Sequence, residues 1–90
     1  MTQLIVQSRK IVKQKDVCGG VPILEGTRIR VSDITIEYEF HGLKPEEIAE
    51  EFSLSLADIF AALTYYYEHL AEIRKEIEER RDFFEKVKKV

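Results

Sequence analysis

The chain has 90 residues, a net charge of −3 and 34% charged residues, which fit one small domain. No apolar run approaches the ~20 residues that a membrane-spanning helix needs, so we expect a cytoplasmic protein with no membrane contact. The single cysteine, Cys18, cannot form an intrachain disulfide, and two isolated histidines predict no metal site. Since no acid–base pair, nucleophile motif or phosphate loop is present, we predict a protein that is not an enzyme and binds no cofactor.

The charge is unevenly distributed along the chain. Residues 1–31 carry six basic and two acidic side chains, whereas residues 32–90 carry eight basic and fifteen acidic ones. Any contact with nucleic acid is therefore expected at the N-terminal end. The candidate contact residues are Arg9, Lys10, Lys13 and Arg30.

Two β elements are predicted in the first 31 residues. Residues 4–13 fit an exposed or edge strand, because two β-branched clusters flank a polar stretch. Residues 21–31 predict a tight hairpin that turns at Glu25-Gly26 and continues in a strictly alternating strand over 27–31. The guanidinium of Arg28 is expected to bind a carboxylate on the acidic helices and lock the hairpin onto them.

Three helices are predicted after the hairpin. The first has Ser32 as its N-cap and ends near His41, and the second begins at Pro45. The third has Ser55 as its N-cap and Asp58 as the partner in a capping box, and it runs without Pro or Gly to the end of the chain. We divide the chain into residues 1–31 (strand and hairpin) and 32–70 (three-helix core), which form one domain, and 71–90 (helical extension).

The third helix carries an apolar residue at alternating spacings of four and three, which is a heptad pattern. A helix over residues 56–89 would be roughly 50 Å long, more than the width of such a domain, so its far half must meet another chain or solvent. Arg80 interrupts the stripe, and polar residues at such positions often fix register. The predicted partner or dimer interface is Tyr66, Leu70, Ile73, Ile77, Arg80, Phe84 and Val87.

The short second helix, the three-residue turn and the capped third helix have the spacing of a helix-turn-helix. The third helix offers few cations for phosphate or guanine contacts, so a purely structural role for this unit is favoured over DNA reading. DNA contact by a paired N-terminal ribbon stays open beside a solvated strand edge. The predicted fold class is therefore mainly α, with a small N-terminal β element, a three-helix homeodomain-like unit and an elongated C-terminal helix.

Several separated motifs occur in a fixed order over about residues 9–70, namely Gly19-Gly20, Pro22, Gly26-Thr27-Arg28, Val31, Pro45-Glu46-Glu47-Ile48, Asp58-Ile59 and Tyr65-Tyr66. In this order they resemble the family known as domain of unknown function 433. The resemblance implies a homeodomain-like unit with a small β element, and a VapB-like antitoxin role, since members are often paired with a PIN-like nuclease toxin. The family usually has Pro where Arg30 stands.

The leading functional hypothesis is an antitoxin-like binding module that forms a homodimer or higher oligomer and neutralises a nuclease toxin through its C-terminal helix. The basic side chains available for an acidic nuclease pocket are Arg80, Arg81, Lys86, Lys88 and Lys89. One alternative is a transcriptional regulator that binds operator DNA. Another is a purely structural homo-oligomer.

Overall fold

The computed structural model describes residues 7–88 of the chain, with side chains described for residues 7–83. The fold is mainly helical with a small N-terminal sheet, as the sequence predicts. A 3-10 turn, Cys18–Gly20, precedes the second strand, and a π-helical turn, Ile36–Phe40, extends the first helix. The elements are β1 (Ile11–Lys13), β2 (Pro22–Leu24), α1 (Val31–Thr35), α2 (Pro45–Phe52), α3 (Leu56–Glu68) and α4 (Leu70–Lys88).

The sheet pairs β1 with β2 in antiparallel orientation, with Val12 opposite Ile23. The prediction of a second hairpin strand over 27–31 is wrong, since this segment contributes only an isolated bridge between Ile23 and Arg30. Its alternation ends early because Val31 already belongs to α1. The turn at Gly26 is present, with a φ of +78°.

The first helix begins at Val31 rather than after Ser32, so the predicted N-cap is displaced by two residues. The backbone N–H of Arg30 donates to Asp33 Oδ2 at 2.9 Å, which satisfies a donor at the helix start. A proline at position 30 would lack this N–H. Ser32 lies inside the first turn and is fully buried.

The second and third helices begin where the sequence places them. Pro45 opens α2, and Ser53 ends it in a left-handed conformation with a φ of +56°. Ser55 Oγ accepts the Asp58 N–H at 3.1 Å, and Asp58 Oδ2 accepts the Ser55 N–H at 3.4 Å. Both halves of the predicted capping box are therefore confirmed.

The prediction of one continuous C-terminal helix is wrong at His69. This residue has φ −135° and ψ 45°, and it separates α3 from α4. The break lets α4 pack on α1, where Ile73 and Ile77 join the core formed by the earlier elements. The break contains neither a Pro nor a Gly, the residues that most disfavour a helix interior. It allows the two apolar side chains to pack in the core.

The core is built mainly from helix faces, with one residue of the sheet. Its buried members are Leu24, Val31, Ile34, Ile48, Ile59, Ala62, Leu63, Tyr66, Ile73 and Ile77. Among the described residues, no helix combines the length and the apolar character needed to cross a bilayer.

Candidate partner-binding site

The residues predicted to form a partner interface lie largely inside the chain's own core. Ile73 is fully buried, and Tyr66 and Ile77 are 3% and 7% exposed. Leu70 is half-buried against the same core. While α4 lies on α1, Ile73 is therefore inaccessible to another chain, and Tyr66 and Ile77 expose only a small part of their surface. Phe84, Val87 and the basic side chains after them lie outside the described side chains, so their predicted contacts stay untested.

Arg80 binds the first turn of α1 instead of standing in an open stripe. Its Nη1 donates to Ser32 Oγ at 2.7 Å, and its Nη2 donates to Asp33 Oδ1 at 3.0 Å. Ser32 Oγ in turn donates to Glu76 Oε2. We call Ser32, Asp33, Glu76 and Arg80 the Arg80 cluster. Because it joins α4 to α1 through charge-assisted hydrogen bonds, it fixes the position of α4 on the core.

Glu76 has a raised pKa within this cluster. Partial burial of its carboxyl group is the main cause, since it disfavours the charged form. The hydrogen bond from Ser32 and the positive charges of Arg80 and Arg30 act in the opposite direction. The net direction shows that desolvation outweighs these partners at this position.

Three of the four candidate nucleic-acid contacts are engaged in ion pairs within the chain. Arg9 Nε lies 3.6 Å from Asp58 Oδ2, and Lys13 Nζ lies 2.7 Å from Glu72 Oε1. Arg30 Nη1 lies 3.9 Å from Asp33 Oδ1. Lys10 is exposed. The four residues therefore do not form one free basic surface, although DNA binding itself stays untested.

The motif residues Gly19, Gly20, Pro22, Gly26 and Thr27 shape the approach to β2 and the turn after it. Thr27 Oγ1 donates to the Leu24 carbonyl at 2.7 Å and accepts the Ile29 N–H at 3.0 Å, which holds the turn. Pro22 is buried in the sheet. The prediction of an Arg28 ion pair with the helices is wrong, since Arg28 is exposed and forms no ion pair among the described residues.

An open groove lies between the π-helical turn and α4. It has a volume of about 230 Å³ and is lined by Phe40, Tyr66, Arg74, Ile77, Glu78 and Arg81. We call it the Phe40 groove. The Phe40 ring is 56% exposed, and the Arg81 guanidinium lies 5.5 Å from its centroid. The groove thus combines an unburied aromatic ring with a cation held over its face.

The second cation of the Phe40 groove is Arg74, whose guanidinium group is held in place by Tyr66. Arg74 Nε donates to the Tyr66 hydroxyl at 3.2 Å, and its guanidinium lies 6.0 Å from the ring centroid. Arg74 and Arg81 are separated by two helical turns, about 10.5 Å along α4. Two guanidinium groups therefore flank the apolar centre of the groove, with Glu78 as an acidic lining residue between them.

The sequence did not identify Phe40 or Arg74 as surface residues of interest. Helical periodicity alone does not decide whether Ile36 or Phe40 faces inward, and the π-helical turn decides between them. The π-helical turn contains one residue more than an α-helical turn, so the residues after it point in a different direction around the helix axis. As a result Phe40 points outward while Ile36 is half-buried. No local sequence signal marks a π-helical turn here.

The remaining chemically capable residues form no evident reactive centre. Within residues 7–83, no three His, Cys, Asp or Glu side chains are grouped so as to hold a metal ion. Cys18 Sγ donates to the Arg28 carbonyl at 3.4 Å, and His41 Nδ1 lies 2.8 Å from Glu37 Oε1. The described residues thus form a small helical module with an open groove beside α4.

The chain belongs to the family described as "Protein of unknown function (DUF433)", whose model matches residues 11–66. The family resemblance predicted from the motifs is thereby confirmed. The matched segment covers the sheet, α1, α2 and most of α3, and it ends before α4. No curated protein and no solved structure matches the chain.

Proposed function

We propose that this protein is a non-enzymatic, antitoxin-like binding module that self-associates and holds a nuclease partner inactive through its last helix. The observation that carries the proposal is the Phe40 groove, in which the exposed ring of the π-helical turn lies beside two arginines of α4. Nuclease centres that use metal ions are lined by carboxylates. Guanidinium groups of Arg74 and Arg81 would pair with such carboxylates while Phe40 contacts an adjacent apolar surface.

The face of α4 proposed for the partner differs from the apolar stripe predicted from the sequence. That stripe is largely occupied by the chain's own core, whereas Arg74 and Arg81 are exposed beside it. A partner could therefore bind without displacing α4. Interfaces of this kind concentrate their binding energy in a few aromatic and arginine side chains, which are the residue types present here.

We also propose that α1, α2 and α3 form a homeodomain-like unit that serves as a scaffold. Its support is the three-residue connection between α2 and α3 and the capped start of α3. The exposed side chains at the start of α3 include Leu56 and Phe60 rather than cations. This composition favours a structural role for the helix over insertion into a DNA groove.

The test is purification of a tagged full-length copy from its source cells, followed by identification of bound proteins and an assay of nucleic-acid cleavage. We expect a nuclease in stoichiometric amount, inhibited by added chain. Arg81→Glu should weaken the complex by about tenfold or more. Lys75→Glu is the matched control, because Lys75 is exposed on the same helix but lines a different cleft. Equal binding of the nuclease by both variants would refute the proposal that the Phe40 groove is the binding site.

The alternative function is binding of operator DNA by the N-terminal residues, for which Lys10 is an exposed cation in the described part of the chain. Gel-shift titration against the DNA upstream of its own gene separates the two functions. A regulator would bind that sequence preferentially and lose affinity steeply with salt. Absence of a shift at low salt would remove this alternative.

A further inference from the structure

We propose that α4 is exchanged between two copies of this chain, so that α3 and α4 of each copy join into one helix across His69. The α4 of one copy would then cover α1 of the other. This inference deepens the self-association in the proposed function by naming its interface and its partner, a second copy. It is carried by the geometry of the break and by the pattern of residues on both sides of it.

The break between α3 and α4 consists of one residue. The His69 N–H donates to the Tyr66 carbonyl at 3.1 Å, and the helical ladder resumes where the Ile73 N–H donates to the His69 carbonyl at 3.0 Å. In a continuous helix the His69 N–H would instead bond to the Tyr65 carbonyl. A change at His69 alone therefore converts the bent arrangement into a straight one.

The His69 side chain stabilises the bent form. Its Nδ1 lies 2.9 Å from the Tyr65 carbonyl, which is the acceptor that the backbone gives up, and the imidazole stacks on the Tyr65 ring at 4.0 Å. Because a carbonyl oxygen can only accept, Nδ1 is the donor in this contact, and the orphaned carbonyl stays satisfied. This is a side chain inserted into the helical ladder, which is a recognised cause of sharp bends.

The apolar pattern fits both forms. At 100° per residue, the buried residues of α3 and α4 lie on one stripe of a straight helix, because their spacings of three and four continue across His69. The whole stripe consists of Ile59, Leu63, Tyr66, Leu70, Ile73 and Ile77. In a straight helix the part of this stripe that lies in α4 would leave the core of its own chain and face outward.

The core that α4 leaves behind is shaped to receive a copy of the same helix. Beyond Ile73 and Ile77, it offers Ser32 and Asp33 for Arg80, and Lys13 for Glu72. An exchange preserves every one of these contacts while changing only which chain supplies them. Exchange of identical elements through a short hinge is a low-cost route to symmetric dimers.

The crossing of the two straightened helices would add a contact that the bent chain lacks. Tyr67 lies two residues before the hinge and is 53% exposed, with its hydroxyl donating to Glu39 Oε1 at 3.0 Å. The exposed Tyr67 ring of each copy would then be available for a contact between the copies near the hinge. Because two chains combine in the exchanged form, its population rises with protein concentration.

The experiment uses the natural ion pair between Lys13 and Glu72. Full-length chains of normal and 15N-labelled material are mixed unfolded, refolded together under reducing conditions, and treated with a carbodiimide, which joins an amine and a carboxylate in contact. Mass spectrometry then shows whether each Lys13–Glu72 cross-link joins the same isotope or two different ones. Lys13→Arg is the control, because a guanidinium does not couple.

Exchange predicts that about half of the cross-links join a heavy and a light chain, as random pairing of identical protomers requires. Cross-links that join only like isotopes, or no cross-link at all, would overturn it. If exchange is overturned in this way and sedimentation still shows a dimer, the chain self-associates through another surface. If sedimentation shows a monomer, the self-association in the proposed function fails too, while nuclease binding is judged by its own test.

A second measurement examines the hinge directly. His69→Leu removes the donor to the Tyr65 carbonyl and introduces a strong helix former, so the dimer fraction in sedimentation should rise several-fold at equal concentration. His41→Leu is the control, since His41 is also exposed but lies outside the junction of α3 and α4. An unchanged dimer fraction for His69→Leu would contradict the role of the hinge.

Discussion

The burial of Ile73 leads to a quantitative prediction for Ile73→Ala. The side chain is fully buried between α4 and the rest of the core. The substitution removes three carbons, which at about 0.8 kcal/mol each gives a transfer loss of ~2.4 kcal/mol. The space left behind adds to this loss, so a total of about 3–4 kcal/mol is expected, within the ~2–5 kcal/mol typical of such changes.

The predicted loss is a large part of the total stability. A chain of 90 residues is expected to unfold with roughly 5–13 kcal/mol, so Ile73→Ala should still fold. Each kcal/mol shifts the Tm of a domain of this size by about 4–8 °C, so the Tm should fall by ~12–30 °C. Urea denaturation followed by circular dichroism at fixed protein concentration measures the free energy of unfolding directly.

The control for this variant is Lys75→Ala, which changes an exposed side chain of the same helix. It should alter the free energy of unfolding by less than about 0.5 kcal/mol. Both the bent chain and an exchanged dimer bury Ile73, so the expected loss holds for either form. An Ile73→Ala curve that overlays the wild-type curve would refute the packing of α4 on α1.

Two further predictions concern the turn after β2 and the Arg80 cluster. Gly26→Val should destabilise the fold by about 1–3 kcal/mol in thermal unfolding, because Gly26 has a φ of +78° and an added Cβ would lie 3.3 Å from Arg9 Nη1; an unchanged Tm would contradict the turn. The raised pKa of Glu76 means that the folded chain holds this proton more tightly than the unfolded chain, so its contribution to stability is complete below the ordinary value of 4.5 and is lost as the pH rises through the folded pKa. The stability of the wild type relative to Glu76→Gln should therefore increase as the pH is lowered from 7 in denaturant titrations, and a difference independent of pH would show that the carboxyl group is not desolvated.

Local signals in the sequence were sufficient to predict where α2 and α3 begin. The start of α3 is specified by Ser55 and Asp58, which satisfy each other's backbone donors within four residues. Pro45 at the first position of α2 acts over a similarly short range. Such features depend on neighbouring residues only, and for this reason the sequence predicted them correctly.

The missed features depend on contacts between distant residues. No residue type at position 69 forbids a continuous helix, and the break lets Ile73 and Ile77 pack against the core of the same chain. Pairing of β1 with β2 likewise depends on residues 11 to 24 meeting across a long connection. The outward position of Phe40 required knowledge of a π-helical turn. Hence the candidate groove, unlike the helix starts, could not be located from the sequence.

Asp58 has a consequence for the order in which parts of the chain open. Its carboxylate caps α3 through Ser55 and also accepts the Arg9 N–H at 2.6 Å, just before β1. The segment that leads into β1 and the first turn of α3 therefore share one carboxylate, although 49 positions separate Arg9 from Asp58. Their amide hydrogens should exchange with solvent as a single cooperative unit, so the N-terminal strand cannot open without loosening the helix start.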